Sequence, residues 1–523
     1  MLKFLNNLKH DFPAGVVVFL VALPLCLGVA LASGAPLFSG IVAGIVGGIV
    51  ISALSGSQLS VSGPAAGLTA ITFNAIQELG QFETFLLAGL IAGAIQLALG
   101  YIGAGAISSF IPNAVIRGML VAIGLILIIK QIPHAVGYGA DLIVDETYAP
   151  ESPTSLLHEI ARAMDYISWG ATTVCIGAII ILLTWGWLSK RGFTPAAIIP
   201  GPLLAVLWGL LFQAFAMGTN FEIPGQHFVS LPEHESLHHL WGSLLNPDFS
   251  QWTNPKVYQV ALTIAIVASI ETLLSLEAVD KLDPLRRQAP ANRELKAQGV
   301  GNMVSSLLGG LPVTSVIVRS SANVNAGGKT KLASMIHGLL LLVSVLLFAD
   351  IMNTIPLATL AAILLLTGFK LASPATFFEM YRRGKNQFIP FIITVIAILI
   401  DDLLKGIAIG TVIGLIFVIR SNFHSAITLK YKEGNYLIRF RKDVTFLNKK
   451  KLRDILAAVA PKSCVLIDGS NSRFIDRDIL DCILDFHEGM ETKELSVELR
   501  NVLGYSGHLN DHFKEIAETE KGT

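Results

Sequence analysis

The stretch Gly309-Gly310-Leu311-Pro312-Val313-Thr314-Ser315-Val316-Ile317-Val318-Arg319-Ser320-Ser321-Ala322-Asn323 interrupts an apolar region with a Gly/Pro cluster and then restarts as a short helix. A similar stretch, Leu59-Ser60-Val61-Ser62-Gly63-Pro64-Ala65-Ala66-Gly67, lies in the first half of the chain. Corresponding interruptions in two halves of a membrane protein point to a transport site. A helix that begins at membrane depth presents unpaired N–H groups and about half a positive charge. Two such N-termini that face each other would form a pocket for a small anion.

The composition is that of a membrane protein. Hydrophobic residues make up 53% of the chain, charged residues only 15%, and the mean hydropathy is +0.63. Apolar runs of near-spanning length recur from Phe12 to Ile419, which predicts a polytopic helical protein. The formal net charge is zero, so no basic surplus suggests a nucleic-acid partner. The four cysteines are scattered, which indicates neither a disulfide framework nor a metal site, and no enzyme active-site pattern is present.

About fourteen membrane segments are predicted, including two short interrupted ones. They lie near 13–32, 38–54, 64–78, 84–103, 113–132, 167–189, 195–217, 257–280, 295–308, 319–326, 330–349, 353–372, 386–401 and 402–420. The first segment has no obvious cleavage site after it, so we interpret it as a retained span rather than a signal peptide.

The distribution of charge predicts the orientation of these segments. Basic residues collect in the loops on the N-terminal side: Lys190, Arg191, Arg286, Arg287, Arg293, Lys296, Lys329, Lys331, Arg382, Arg383 and Lys385. The two long loops on the other side carry mostly acids: Asp141, Asp145, Glu146, Glu151, Glu159, Glu222, Glu233, Glu235 and Asp248. The positive-inside rule therefore predicts that both termini are cytoplasmic. We expect the protein to lie in the inner (plasma) membrane of the cell.

The segments divide into two halves, repeat one at about 12–217 and repeat two at about 257–420, each with about seven segments. An odd number per repeat forces the second half to enter the membrane inverted, and in both halves the interruption falls at the third segment. The predicted fold is thus an all-α transport domain over 1–420 with a 7+7 inverted repeat.

The chain becomes polar from 424 to 523, and no run there is long enough to span a membrane. Alternating and buried patterns predict strands at 435–440, 463–468 and 494–499, with amphipathic helices at 449–459 and 478–486. Alternating strands and helices indicate a small cytoplasmic α/β domain.

Two groups of residues could carry the chemistry. Glu271 lies midway along an apolar run, where an ionised carboxylate costs about 2.5–3.5 kcal/mol, so it is a candidate to bind a proton or a sodium ion, or to pair with Arg319. Ser275 follows it one turn later as a second coupling-cation candidate. Arg319 adds a full positive charge to a helix start and can fork onto oxyanion oxygens. The candidate anion ligands around it are Ser320 and Ser321, with Ser62, Ala65, Ala66 and Thr69 opposite.

Other polar residues are given structural roles at this point. Lys130, Asp401 and Asp402 are interpreted as solvated anchors at segment ends, and His337 as a locally satisfied histidine. Glu277 and Asp280 are expected to be solvated near the cytoplasmic mouth. The histidines at 227, 234, 238 and 239 lack a companion carboxylate pattern, so no metal site is predicted. Gly40, Gly44, Gly47 and Gly48 fit close helix packing.

Several motifs together resemble the SulP inorganic-anion transporter family. They are the Ser-Gly-Pro break at Ser62, the run Ser269-Ile270-Glu271-Thr272-Leu273-Leu274-Ser275, Asn292-Arg293-Glu294-Leu295 with Gln298-Gly299, and the stretch from Gly310 to Thr330. The resemblance runs from about residue 10 to 420. The tail resembles a STAS domain through Val465-Leu466-Ile467-Asp468 and Phe474-Ile475-Asp476.

This resemblance implies a mobile core domain, made of the first four segments of each half, that moves against a gate domain made of the last three. It implies transport of sulfate, bicarbonate, chloride or similar anions, often by a homodimer. The substrate would lie between the third and tenth segments, at Ser62, Ala65, Ala66, Val318, Arg319 and Ser320, and Glu271 would be the coupling site. Two positions depart from the pattern: Val318 is often small or hydroxylic in the family, and Asp476-Arg477-Asp478 replaces a phosphorylated Asp-Ser-Ser-Gly.

The predicted function is a secondary active transporter that takes up a small inorganic oxyanion, sulfate or bicarbonate, with sodium or protons as the coupling ion and no cofactor. An uncoupled anion channel or exchanger is an alternative. A nucleobase permease of the same architecture is another, although Arg319 argues against it. A membrane-anchored sensor that signals through the tail is a third alternative.

Overall fold

The computed structural model describes residues 7–106, 112–138, 167–192, 199–231, 244–400, 403–424, 426–432, 434–490 and 494–502. It divides into two compact units, one of Met1–Arg383 with Phe388–Thr411 and the other of Gly384–Gln387 with Val412–Thr523. Some residues interpreted above lie outside the described part: Asp141, Asp145, Glu146, Glu151, Glu159, Glu233, His234, Glu235, His238, His239, Asp401 and Asp402.

The chain up to His424 is helical. In order, its helices and two short strands are α1 Leu8–Ala32, α2 Leu37–Val46, β1 Ser62–Pro64, α3 Thr69–Leu79, α4 Phe82–Tyr101, α5 Asn113–Val136, α6 Trp169–Lys190, α7 Gly201–Ala216, α8 Pro255–Leu282, α9 Ala291–Leu307, β2 Val313–Ser315, α10 Ile317–Asn325, α11 Leu332–Met352, α12 Leu357–Leu371, α13 Pro374–Arg382, α14 Lys385–Ile400 and α15 Leu403–His424.

The predicted membrane segments are confirmed as helices, with ends that differ by a few residues. Among the described residues, eight helices are long and apolar enough to cross a membrane. They are α1, α2 with its extension to Leu54, α4, α5, α6, α8, α11 and α12 continued through α13. Helices α7 and α14 are apolar but shorter, and α15 contains an apolar stretch over Lys405–Phe417. The two interrupted segments form β1 with α3 and β2 with α10.

Helix α2 widens into a π turn over Gly47–Ile51 and ends at Leu54. A side chain at Gly47 would collide with the backbone of Ser62, and one at Gly48 with the backbone of Gly338 on α11. The predicted close packing of these small residues is therefore confirmed. It brings α2 against the first interruption and against α11 at the same height.

The helix packing follows the symmetry of an inverted repeat, in which α1–α5 correspond to α8–α12. Helix α4 packs on α8 and α9, and its counterpart α11 packs on α1 and α2. Helices α5 and α12, which correspond to each other, pack together. Equivalent neighbours at equivalent positions are what two structurally similar halves require.

The polar tail forms a four-stranded sheet in the order β3 (Ile427–Lys432), β4 (Asn435–Phe440), β5 (Cys464–Asp468) and β6 (Ser496–Arg500). The first pair is antiparallel, and β4, β5 and β6 are parallel, joined through α16 (Lys449–Ala457) and α17 (Arg477–Glu488). The predicted α/β pattern is confirmed, and β3 is an addition. Phe440, Ile467 and Ile483 lie in its hydrophobic core.

Candidate functional site

The two interruptions are joined by a short antiparallel pair. Strands β1 and β2 lie side by side, with Ser62 opposite Ser315 and Pro64 opposite Val313, and all six strand residues are buried. The pairing continues where Val316 N donates to Val61 O at 3.0 Å. We call this strand pair, Ser62–Pro64 with Val313–Ser315, the crossing. Because the strands are antiparallel, the half-helices α3 and α10 begin on opposite sides of it.

Further hydrogen bonds tie the first interruption to the start of the second half-helix. Val61 N donates to Ser320 Oγ at 2.9 Å, and Asn323 Nδ2 donates to Leu59 O at 3.0 Å. The hydroxyls of Ser60 and Ser315 lie 2.6 Å apart. The crossing and α10 are therefore held together as one piece.

The predicted anion ligands divide into buried and accessible residues. Ser62, Ala65, Thr69 and Ser320 are buried, Ala66 and Ser321 are half-buried, and Val318 is 48% exposed. Three of the predicted hydroxyls already have internal partners. Ser62 Oγ accepts from Gln298 Nε2 at 2.8 Å, Thr69 Oγ1 donates to Ala66 O at 2.8 Å, and Ser320 Oγ donates to Val316 O at 2.8 Å. The accessible edge thus consists of Ala66, Val318 and Ser321.

Arg319 is 1% exposed and lies underneath the first interruption. Its Nη2 donates to Pro64 O at 3.3 Å, and a side chain on Gly63 would collide with its guanidinium. Its Nε and Nη1 are buried and have no hydrogen-bond partner. A buried charge of this kind is costly unless it is paired and hydrogen-bonded. The guanidinium thus has hydrogen-bond donors to spare at the crossing.

Glu271, on α8, lies against the first half-helix. Gly67 N–H donates to its carboxylate, and its Oε2 is buried without a partner. No hydrogen bond joins Glu271 to Arg319, so the pairing considered from the sequence is not formed. Ser275 is buried one turn later on the same helix. Glu271 and Arg319 therefore each retain unused bonding capacity near the crossing.

The sequence interpretation did not assign a role to a row of buried polar residues along α9. They lie four residues apart and are Glu294, Gln298 and Asn302. Gln298 donates to Ser62 Oγ, as described above. Asn302 Oδ1 accepts from Val313 N at 2.6 Å, and its Nδ2 donates to Val313 O at 3.0 Å and to Gln96 Oε1 at 2.6 Å. Together these amides position both strands of the crossing. A polar stripe at helical spacing within a membrane segment was the signal that could have revealed them.

Other interpreted residues fall as follows. The solvated-anchor interpretation of Lys130 is wrong, because its Nζ is buried and lies 3.5 Å from the centroid of the Phe73 ring. His337 is buried and contacts its own helix, with Nδ1 3.2 Å from Ser334 O. Glu277 is exposed and pairs with Lys281 at 2.7 Å.

Comparison with known proteins identifies the family. The model of the sulfate permease family matches residues 8–395. The chain belongs to this family. The match covers the interrupted segments, Glu271 and the polar row on α9, and the members of this family are membrane anion transporters rather than enzymes.

Two curated relatives and one solved structure extend this result. The chain is 28% identical to a putative sulfate transporter, YvdB of Bacillus subtilis, over 80% of this chain and 74% of that protein. It is 25% identical to the bicarbonate transporter BicA of Picosynechococcus, over 80% of this chain and 72% of that protein. The structure of the murine Slc26a9 anion transporter covers 98% of this chain and 87% of its own, with a TM-score of 0.74 at 17% identity. This last likeness concerns the fold.

Proposed function

We propose that this protein is a secondary active transporter that takes up a small inorganic oxyanion, sulfate or bicarbonate, together with a sodium ion or a proton. Membership of the sulfate permease family supports transport of an anion. The names of two relatives, a putative sulfate transporter and a bicarbonate transporter, support these two substrates. Both are small, oxygen-rich anions that suit N–H donors and a guanidinium.

The observation that carries the proposal is the buried guanidinium of Arg319 beneath the β1/β2 crossing. Two of its nitrogens have no partner, and the half-helices α3 and α10 begin beside it. The anion would bind at the accessible edge made by Ala66, Val318 and Ser321, beside the start of α10, where the first N–H groups of a helix have no acceptor within it. Arg319 would then contribute through its charge and, after a small shift, through its free N–H groups.

Glu271 is proposed as the site of the coupling cation. Its carboxylate holds the Gly67 N–H at the start of the first half-helix and has a free buried oxygen. A proton or a sodium ion would neutralise it, and oxygen ligands suit sodium. Because Gly67 belongs to the turn that begins the half-helix, cation binding at Glu271 would stabilise the geometry that the anion needs. Ser275 would assist from the next turn.

The proposed mechanism is of the elevator type, with α1–α4 and α8–α11 as the mobile core and α5–α7, α12, α14 and α15 as the gate. The crossing, Arg319 and Glu271 all belong to the core, so the complete site would move as one body. A homodimer in the plasma membrane with both termini cytoplasmic is proposed with it, supported by the distribution of basic residues. The tail, whose strand order fits a STAS domain, would support the dimer or regulate it.

Uptake into proteoliposomes tests this proposal. Radiolabelled sulfate and bicarbonate are offered separately, each with and without an inward sodium gradient and at two pH values. We expect one anion to accumulate against its gradient only when sodium or protons flow inward. Glu271→Gln should abolish this dependence, and Glu277→Gln, which alters an exposed carboxylate, should preserve it.

Three outcomes would contradict the proposal. Currents far above carrier turnover would indicate a channel. Competition by uracil or xanthine would indicate a nucleobase permease. Uptake that is unaffected by either gradient would indicate that Glu271 is not a coupling site.

A further inference from the structure

Glu294 is a second buried carboxyl group, and neither the anion site nor the coupling site uses it. It lies on α9 and is 0% exposed. Its Oε2 is hydrogen-bonded to the Ser55 hydroxyl, and its Oε1 accepts from Gln298 Nε2 at 3.0 Å. Both partners are neutral. A carboxylate taken out of water without a cationic partner is costly, whereas a carboxylic acid is not.

The immediate contacts of Glu294 suit both protonation states. The Ser55 hydroxyl, which also accepts from Ser57 N at 3.0 Å, can donate to an ionised carboxylate. It can equally accept from a protonated carboxyl, since a hydroxyl oxygen has two acceptor sites. Gln298 donates to Oε1 in either state. A proton can therefore bind or leave without a rearrangement of the backbone.

The same amide connects Glu294 to the crossing. Gln298 Nε2 donates to Glu294 Oε1 and to Ser62 Oγ at 2.8 Å, while its Oε1 is buried and without a partner. A carboxylate is a stronger acceptor than a neutral carboxyl oxygen. The charge on Glu294 thus sets the balance between the two hydrogen bonds of Gln298 Nε2, one to Glu294 Oε1 and the other to Ser62 Oγ.

The α2–β1 connection, which carries Ser55, lies close to the α8–α9 connection near this carboxyl group. A cleft there is lined by Gly56, Ser57, Asp280 and Arg287, next to Ser55. The charged groups around Glu294 come from three helices: Asp280 on α8, Arg293 on α9 itself and Lys331 at the start of α11. Lys331 Nζ donates to Ala53 O at 2.7 Å, which holds it at the end of the α2 extension.

We propose that Glu294 is a second proton-binding site, separate from Glu271, and that its occupancy acts on the anion site through Gln298 and Ser62. The ligand is a proton, delivered through the cleft beside Ser57. Binding of the proton stands independently of the transport activity. The effect on anion uptake rests on the proposed function.

Difference infrared spectroscopy of the full chain in lipid nanodiscs tests proton binding without any transport assay. The pH is stepped from about 4 to about 9, a range that brackets ordinary and strongly raised carboxyl values. We expect one component of the protonated-carboxyl signal to titrate within this range and to be lost in Glu294→Gln. The same component should be retained in Glu277→Gln and in Glu271→Gln, because the proposed proton site at Glu271 contributes a separate component. Ser55→Ala keeps Glu294 and removes one partner, so it should change the frequency and midpoint of the band.

A protonated-carboxyl signal that is the same in Glu294→Gln as in the wild type, or a Glu294 component that does not titrate within the range, would overturn the proposal. If Glu294→Gln does not fold, an unchanged band in Ser55→Ala would overturn it as well. In proteoliposomes, Glu294→Gln should remove one step from the pH profile of uptake that remains in Glu277→Gln. If the wild type transports neither anion, the proposed function fails while the infrared result still decides whether Glu294 binds a proton.

Discussion

The side-chain carboxylate of Glu271 lies directly against the backbone of Gly67, although the two residues come from different halves of the chain. A Cβ atom at position 67 would lie 2.5 Å from Oε1 and 2.7 Å from Oε2. Only glycine allows this approach, and the approach lets the Gly67 N–H donate to the carboxylate. The proposed cation site and the start of the first half-helix are thus in direct contact.

Gly67→Ala should displace the Glu271 carboxylate and weaken coupling. Overpacking of a buried site costs about 1–3 kcal/mol, so we expect the apparent affinity for the coupling ion to fall by about tenfold or more. The measurement is uptake against sodium concentration or pH. Gly186→Ala on α6 is the matched control, since a Cβ there meets nothing within 4 Å. Normal ion dependence in Gly67→Ala would show that the contact is unimportant for coupling.

Arg319→Ala should weaken anion binding more than it lowers stability. Hydrogen bonds to a charged group contribute about 1.5–3 kcal/mol, which corresponds to a rise in KM of about tenfold or more. Arg319→Lys keeps the charge but loses the planar fork, so it should recover part of the affinity. Arg383→Gln, which alters an exposed ion pair with Glu379, is the control. An unchanged KM in Arg319→Ala would remove this residue from the anion site.

Asn302→Ala should destabilise the crossing. The change leaves Val313 N, Val313 O and Gln96 Oε1 without their partner, and each buried unpaired group costs about 1–3 kcal/mol. We expect a loss of about 2 kcal/mol or more in the free energy of unfolding. Thermal unfolding followed with a thiol-reactive dye reports it, since Cys26, Cys175 and Cys482 are buried. Thr263→Ala on α8, whose hydroxyl bonds only within its own helix, should melt as the wild type does.

A fall in pH should lower the free energy of unfolding of the tail domain through protonation of Asp468. Burial alone would raise the pKa of Asp468, but hydrogen bonds from Ser470 and Arg439 outweigh it and hold the pKa below the usual range. The stabilisation is therefore complete above the unfolded pKa of about 3.9 and is lost as the pH falls through the lower folded pKa.

Asp468→Asn should remove this stabilisation at neutral pH, where a broken buried pair costs about 3–5 kcal/mol. Hydrogen exchange of β4–β6 in the full chain measures it. Glu494→Gln disrupts only the exposed pair with Lys462, so it should leave exchange unchanged. Equal protection in Asp468→Asn and the wild type would contradict this account.

Much of the fold could be predicted from the sequence because lipid imposes a simple requirement on each span. An apolar run predicts a helix, and the segment expected at 257–280 is α8, Pro255–Leu282. Strand β3 was missed for the opposite reason. Only Ile427 of its six residues is buried, and most of the others are polar, so the strand has little hydrophobic pattern.

The site was less predictable because its geometry depends on long-range contacts. The interruptions and Arg319 stand out locally, but the β1/β2 pairing joins residues far apart in the chain. The burial of Arg319 beneath Gly63 depends on that pairing, and it could not be inferred from the arginine alone. Likewise, helix periodicity could mark Gln298 and Asn302 as one polar stripe, but it could not show that they bind Ser62 and Val313 on the two strands.

The three-residue ladder between Ser62–Pro64 and Val313–Ser315 has a consequence for alternating access. Moving one half-helix away from the other would break the main-chain hydrogen bonds between the two strands. These strands are buried, so water would not replace the broken bonds. In the proposed elevator mechanism, the core would therefore carry the same intact strand pair, with the same anion ligands, to either side of the membrane.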